Sequence, residues 1–158
     1  MTGWWIGGGA VLGVMLWGFW RIGRGARLTV EQARRQFQQQ REHLEAEFFA
    51  AAAASGKPRG LRWKDCEWGE QLEFALDRQS GLWTAFVGVT ISFEAIEGGD
   101  MEGLPAVSNL RNASAVFVHD NRRWVATGRA VFNLNPNEVL SRFSIQFAPV
   151  EQPGAGRT

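Results

Sequence analysis

Between Trp4 and Trp20 the chain carries no charge, and Arg21, Arg24 and Arg27 follow at once. No other feature restricts the fold as strongly, because a segment immersed in hydrocarbon must satisfy every backbone N–H and C=O internally and is thereby committed to helix. At 1.5 Å per residue the run covers roughly 24 Å of an apolar layer of about 30 Å, and Thr2, Gly3 and the snorkelling stem of Arg21 extend it to a sufficient span. Trp4 and Trp5 at one end, and Trp17 and Trp20 at the other, suit the two interfaces, where an indole is half buried while its N–H meets water. A cleaved secretory signal would carry its positive charge before the apolar core, whereas here the charge comes after it. Residues 1–27 therefore read as an uncleaved, single-pass transmembrane anchor with a basic flank.

The three arginines place the N-terminus outside and the remainder of the chain in the cytoplasm of a cell with this protein in its (inner) membrane. Gly9 and Gly13 lie one helical turn apart and leave a face on which a second helix can approach closely, although small residues are common in such helices in any case. The lipid bilayer is the first partner expected, and a second copy or the subunits of a larger membrane complex come next. A net charge of +1, with its basic excess beside the bilayer, argues against a nucleic-acid partner. Cys66 is the only cysteine and forms no intramolecular disulfide, in keeping with a cytoplasmic domain. The acceptor triplet Asn112, Ala113, Ser114 is then a chance match to a glycosylation site.

Thr29 followed by Gln32 has the spacing of a capping box, in which hydroxyl and amide satisfy otherwise unpaired backbone N–H groups. A long helix is expected over residues 28–56, stopped by Gly56 and kept from resuming by Pro58. Val30, Phe37, Leu44 and Ala51 recur every seven residues and form a narrow apolar seam. The intervening positions Ala33, Gln40, Glu47 and Ala54 are too polar for an extended coiled coil. The pattern predicts a polar first half acting as a stalk and a richer second half, Leu44 to Ala54, buried on a following domain.

From Leu61 the period changes from helical to alternating. Leu72, Phe74 and Leu76 alternate with Glu73, Ala75 and Asp77 before a turn at Gln79, Ser80 and Gly81. Ala85, Val87, Val89, Ile91, Phe93 and Ala95 share one face of the clearest strand. Ala113 to His119 is apolar on both faces, as a central strand would be. In a fourth strand, Trp124, Ala126, Ala130, Phe132 and Leu134 are expected to face the core, and Gly88 and Gly128 to mark bends or bulges. Asn135, Pro136 and Glu138 supply the cap, first position and box of a short helix reaching about Phe143. Phe143, Ile145 and Phe147 suggest a last strand, and residues 152–158 a frayed tail.

The fold class is thus α+β, with a domain over residues 57–151 in which the long helix lies on a curved antiparallel sheet. Over residues 40–150 this order of elements is similar in topology to cystatin-like and NTF2-like folds; no signature motif accompanies the likeness.

Chemistry is sparsely signposted. Glu94, Glu97, Asp100 and Glu102 gather around flexible glycines, but their spacing does not match a calcium loop, and a solvated connection accounts for them. His43 lies on the polar side of the helix beside Glu42. His119 ends a strand without an orienting carboxylate opposite it, as a general base would require. Cys66 lies between Asp65 and Glu67, whose charge opposes thiolate formation. No phosphate loop, zinc spacing or nucleophile elbow is present, and no cofactor, metal or catalytic residue is assigned. Trp63, Trp68 and Trp83 would be contact residues if the sheet leaves an open mouth, with Arg111, Asn112, His119, Arg129 and Asn133 as converging polar groups. The expected function is a membrane-tethered binding or assembly module. A small-ligand binder or enzyme with a pocket between helix and sheet, or a subunit of a larger membrane complex, is the alternative.

Overall fold

The computed structural model describes residues 28–150. The expected anchor with its tryptophans, arginines and glycine pair, and the expected tail, lie outside those residues. Among the described residues no helix is long and apolar enough to cross a membrane.

The long helix α1 spans Val30–Ala54, and its capping box forms as the sequence predicts: Thr29 Oγ1 accepts from Gln32 N–H while Gln32 Oε1 accepts from Thr29 N–H. A cap of this kind stabilises a helix by about 1 kcal/mol. Gly56 follows the C-cap Ser55 with φ of 65°.

The expected stalk is not found. Ala33, Phe37, Leu44, Phe48 and Ala52 are all buried, so the first half of α1 is packed as closely as the second, and Ala51 of the seven-residue seam is exposed. Spacings of four and seven residues select one continuous face, and every turn of it meets the sheet.

That sheet has five antiparallel strands: β1 (Leu61–Asp77), β2 (Trp83–Ala95), β3 (Arg111–Asp120), β4 (Arg123–Phe132) and the short β5 (Phe147–Pro149). Their spatial order is β4-β3-β2-β1-β5, so β1 to β4 form a meander and β5 pairs with the far side of β1. The sheet curls around α1, which contacts both β4 and β1. Ala113, Ala115 and Phe117 of the interior strand β3 face α1, whereas Val116 belongs to a second cluster. The second cluster lies on the other face, where the short helix α2 (Pro136–Arg142) and β5 pack through Val139, Leu140 and Phe147 onto Ala75 and Phe86.

Three irregularities bend the sheet. β1 shifts register twice, between Trp63 and Asp65 and between Trp68 and Leu72. Between Phe117 and Val116 of β3, strand β4 accommodates the additional residues Thr127 and Gly128. Gly128 is thus a bulge residue as expected, with φ of 67°. Gly88 is not, since β2 runs past β3 there in unbroken register; the bulge lies opposite, in β1.

Two expectations at the C-terminal end need correction. Leu134 joins the second cluster because Asn133, at φ of 59°, turns the chain out of the alternation of β4. The last strand is only three residues long: Phe143 caps α2 and Ile145 is 92% exposed. The capping box of α2 itself forms as predicted, between Asn135 and Glu138.

Candidate functional site

Aromatic side chains fill the space between α1 and the sheet. Phe37 meets Phe74, Phe117 and Trp124 edge-on, with centroids 5.8, 5.3 and 5.1 Å away. Phe48 meets Phe117 at a tilt, 5.7 Å away, and Trp63 and Trp68 edge-on, at 6.1 and 5.4 Å. Edge-to-face rings of this kind add specificity to apolar burial. Two indole N–H groups are used internally: Trp63 donates to Lys57 O at 2.7 Å and Trp124 to Ala33 O at 3.0 Å.

The residues singled out as binding contacts do not converge on one pocket. Trp63 is buried and Trp68 half-buried, both serving the core, because the two bulges of β1 bring them onto the face that also carries Phe74. Trp83 packs at the edge of the same core and pairs across strands with His119. Asn112 lies exposed on the opposite side, where its Oδ1 accepts from Thr90 Oγ1 at 3.2 Å, and Asn133 N–H donates to Asn112 O. Arg111 is exposed and donates to Ala106 O at 3.4 Å. Arg129 is exposed beside the β4 bulge.

Among the described residues, open grooves lie along the sheet and the margins where the helix meets it. One of about 610 Å³ lies where the C-terminal end of α1 meets β4, and its walls include Ser55, Lys57, Trp63, Thr127, Arg129 and Phe132. Two of the expected contact residues, Trp63 and Arg129, therefore do share a groove. Lys57 and Phe132 belong to it as well; Phe132, expected to face the core, is instead exposed at the groove. A second groove of about 400 Å³ places Trp68 near Asn112, against Gly88 and Asn135. A third, about 460 Å³, runs between α1 and β1 and includes Glu42, Glu45, Asp65 and Cys66.

Burial, with Asp65 adding to it, pushes the Cys66 thiol up to about 12, so the groove beside it offers no thiolate near neutrality. The acidic loop does not assemble a cation site: the carboxylate of Glu94 faces Arg62 at 3.3 Å and that of Glu102 accepts from Gly98 N–H at 2.8 Å. Among the described residues, no three His, Cys, Asp or Glu side chains gather to hold a metal ion.

His119 is 9% exposed, with its Nε2 3.2 Å from Gln36 Oε1 and its ring 5.4 Å from that of Trp124. Desolvation holds its pKa below the ordinary 6.5, against the opposing pull of its backbone and Asp120. Above pH 6.5 the ring is neutral in both folded and unfolded chains, and the associated stability is complete. As pH falls from there toward the folded pKa, only the unfolded chain takes up the proton, and stability is lost. Urea midpoints of the wild type are expected to decline over that interval, and the His119→Gln variant to show a smaller decline. Equal slopes would contradict the burial of a neutral ring.

No family model, curated protein or solved structure matches the chain.

Proposed function

We propose that this chain is a single-pass membrane protein whose α+β domain is a binding or assembly module held at the cytoplasmic face. The observation that carries the reading is the uncharged run from Trp4 to Trp20, closed at once by Arg21, Arg24 and Arg27, with the first described residue, Leu28, directly after it. The domain itself favours binding over catalysis. His43, Cys66 and His119 lie in separate surroundings, the thiol is held protonated, and His119 has an amide rather than a carboxylate for its ring partner. Grooves open to solvent, rimmed by aromatic and charged side chains, suit contact with another chain.

A specific feature supports the small-ligand alternative: the 610 Å³ groove carries two cations, Lys57 and Arg129, beside the aromatic surface of Trp63 and Phe132. A subunit role in a larger membrane complex would use the Gly9 and Gly13 face for contact.

Extraction and protease access test the primary reading. The full chain is expected to stay with membranes through alkaline carbonate washing, and a variant lacking residues 4–20 to become soluble. Protease should reach the domain in inside-out vesicles and spare it in intact cells. Digestion in intact cells would invert the orientation, and release by carbonate would remove the anchor.

A further inference from the structure

The antiparallel register lines up Leu76, Trp83, His119 and Trp124 along one end of the sheet. The β1–β2 and β3–β4 turns both project from this end. So does the start of α1, since Trp124 bonds Ala33 O and His119 bonds Gln36. Arg78 stands in the first turn and Arg122 in the second, and Arg123 opens β4 opposite Asp120. All three are exposed. The ion pairs among the described residues, Arg35–Glu31, Arg41–Glu45, His43–Glu47 and Arg62–Glu94, leave these arginines out.

Their acidic neighbours keep their charge but form no salt bridge to them: the Asp77 carboxylate accepts from the N–H groups of Gln79 and Ser80 and from Gln146, Asp120 accepts from Asn121, and Glu47, which shares a groove with Arg123, pairs with His43. Ile145, 92% exposed, stands beside Arg78, because Arg78 N–H donates to Gln146 O. The opposite end of the sheet mixes the acidic loop, with Glu97, Asp100 and Glu102, with the cations Lys57, Arg59, Arg62 and Arg111. Arg78, Arg122 and Arg123, exposed and without an ion pair, thus stand at the end where the chain comes in.

Arg122 also has φ of 67°, and Asn121 φ of 46°. A two-residue hairpin turn of this kind favours glycine at the position Arg122 occupies, because its Cβ is strained there. An exposed arginine in that backbone conformation is a local sacrifice of stability that packing does not explain, and such outliers point to a use for the side chain.

We infer that this end of the domain docks on anionic lipid headgroups, with Arg78, Arg122 and Arg123 as contacts and Ile145 inserted beside Arg78. The inference builds on the proposed anchor. If the hydrophobic span ends at Trp20, residues 21–27 reach at most roughly 25 Å, which keeps the arginine-bearing end close to the bilayer surface. Charge decides the occupant: cations near a negatively charged leaflet are attracted within a screening length of about 8–10 Å, and an exposed isoleucine beside them gains by entering the interface.

The test uses the full chain with vesicles of phosphatidylcholine alone and of phosphatidylcholine with phosphatidylglycerol, roughly seven to three. Flotation and carbonate resistance report the anchor, while backbone hydrogen exchange over residues 78–82, 120–123 and 143–146 reports docking. Exchange in all three segments is expected to slow only with the anionic lipid and to recover at high salt. Arg122→Gly, which the turn accommodates, should weaken the docking equilibrium about fivefold, and Arg78→Gln with Arg123→Gln should weaken it further.

Flotation with both vesicles but identical exchange overturns docking while the anchor stands. Flotation with anionic vesicles alone, reversed by salt, removes the anchor and supports docking. Binding to neither vesicle overturns both. Protection produced by soluble polyglutamate, and not by the anionic vesicles, would assign the patch to an acidic polypeptide and overturn the lipid assignment.

Discussion

Replacing Phe37 by alanine is expected to lower the stability of the domain by about 3–5 kcal/mol, the range for deleting a buried aromatic ring. The ring is wholly buried and lies within 6 Å, centroid to centroid, of Phe74, Phe117 and Trp124, which come from three different strands. Its loss opens a void that α1 cannot close without leaving Phe48 and the rest of its apolar face misaligned. In a domain whose total stability is of order 5–15 kcal/mol, that is a large part of the margin. Thermal unfolding of the full chain in detergent micelles, followed by near-ultraviolet circular dichroism, would measure it. Phe143→Ala, at a position 39% exposed, serves as the control and should shift the midpoint far less. Equal shifts in the two variants would mean that the first half of α1 is not docked, as in the stalk arrangement.

Gly128→Ala is expected to be almost as damaging, at about 2–4 kcal/mol, for a different reason. A Cβ at this position would stand 2.9 Å from both the carbonyl carbon and the Cβ of Ala51, and 3.0 Å from the nitrogen of Ala52. The obstruction is mostly helix backbone, so no rotamer change relieves it. Gly56 separates this clash from the cost of backbone conformation alone: its φ of 65° nearly equals the 67° of Gly128, yet a Cβ there would meet nothing within 4 Å. Gly56→Ala should therefore cost only about 1–2 kcal/mol. Chemical denaturation of both variants gives the difference directly. If the two glycines proved equivalent, the close approach of α1 to β4 would be wrong.

The irregularities of the sheet explain what the residue pattern conveys and what it conceals. In β2 the alternation of Ala85, Val87, Val89, Ile91 and Phe93 is unbroken and all five are buried on the predicted face, while Ala95, at the strand's end, is half-buried. In β1 the same rule fails for Trp63 and Trp68, which have no consistent parity in the sequence. The bulges before Asp65 and Leu72 restore it, each accommodating additional β1 residues. Both tryptophans thereby enter the core, and the open mouth expected between helix and sheet is largely filled by their rings. The grooves that remain lie at its margins, where Lys57 and Phe132 meet Trp63 and Arg129 through contacts remote in sequence. Likewise, Arg78 and Arg122 are distant in the chain, and antiparallel register brings their turns to one end.

The sequence alone determined the two capping boxes, the stop at Gly56, the passage from helix to strand near Leu61 and the clean faces of β2, because each depends on atoms a few residues apart. Backbone donors need a partner within one turn, glycine relieves strain at its own φ, and alternation persists while a strand is regular. Only the tertiary structure decided the faces of Trp63 and Trp68, the docking of the whole of α1, the shortness of β5 and the clustering of three arginines at one end of the sheet. Those outcomes depend on where neighbouring strands force a bulge and on which surfaces then fit together. Such choices are made by packing between distant segments, and a local pattern of side chains does not encode them.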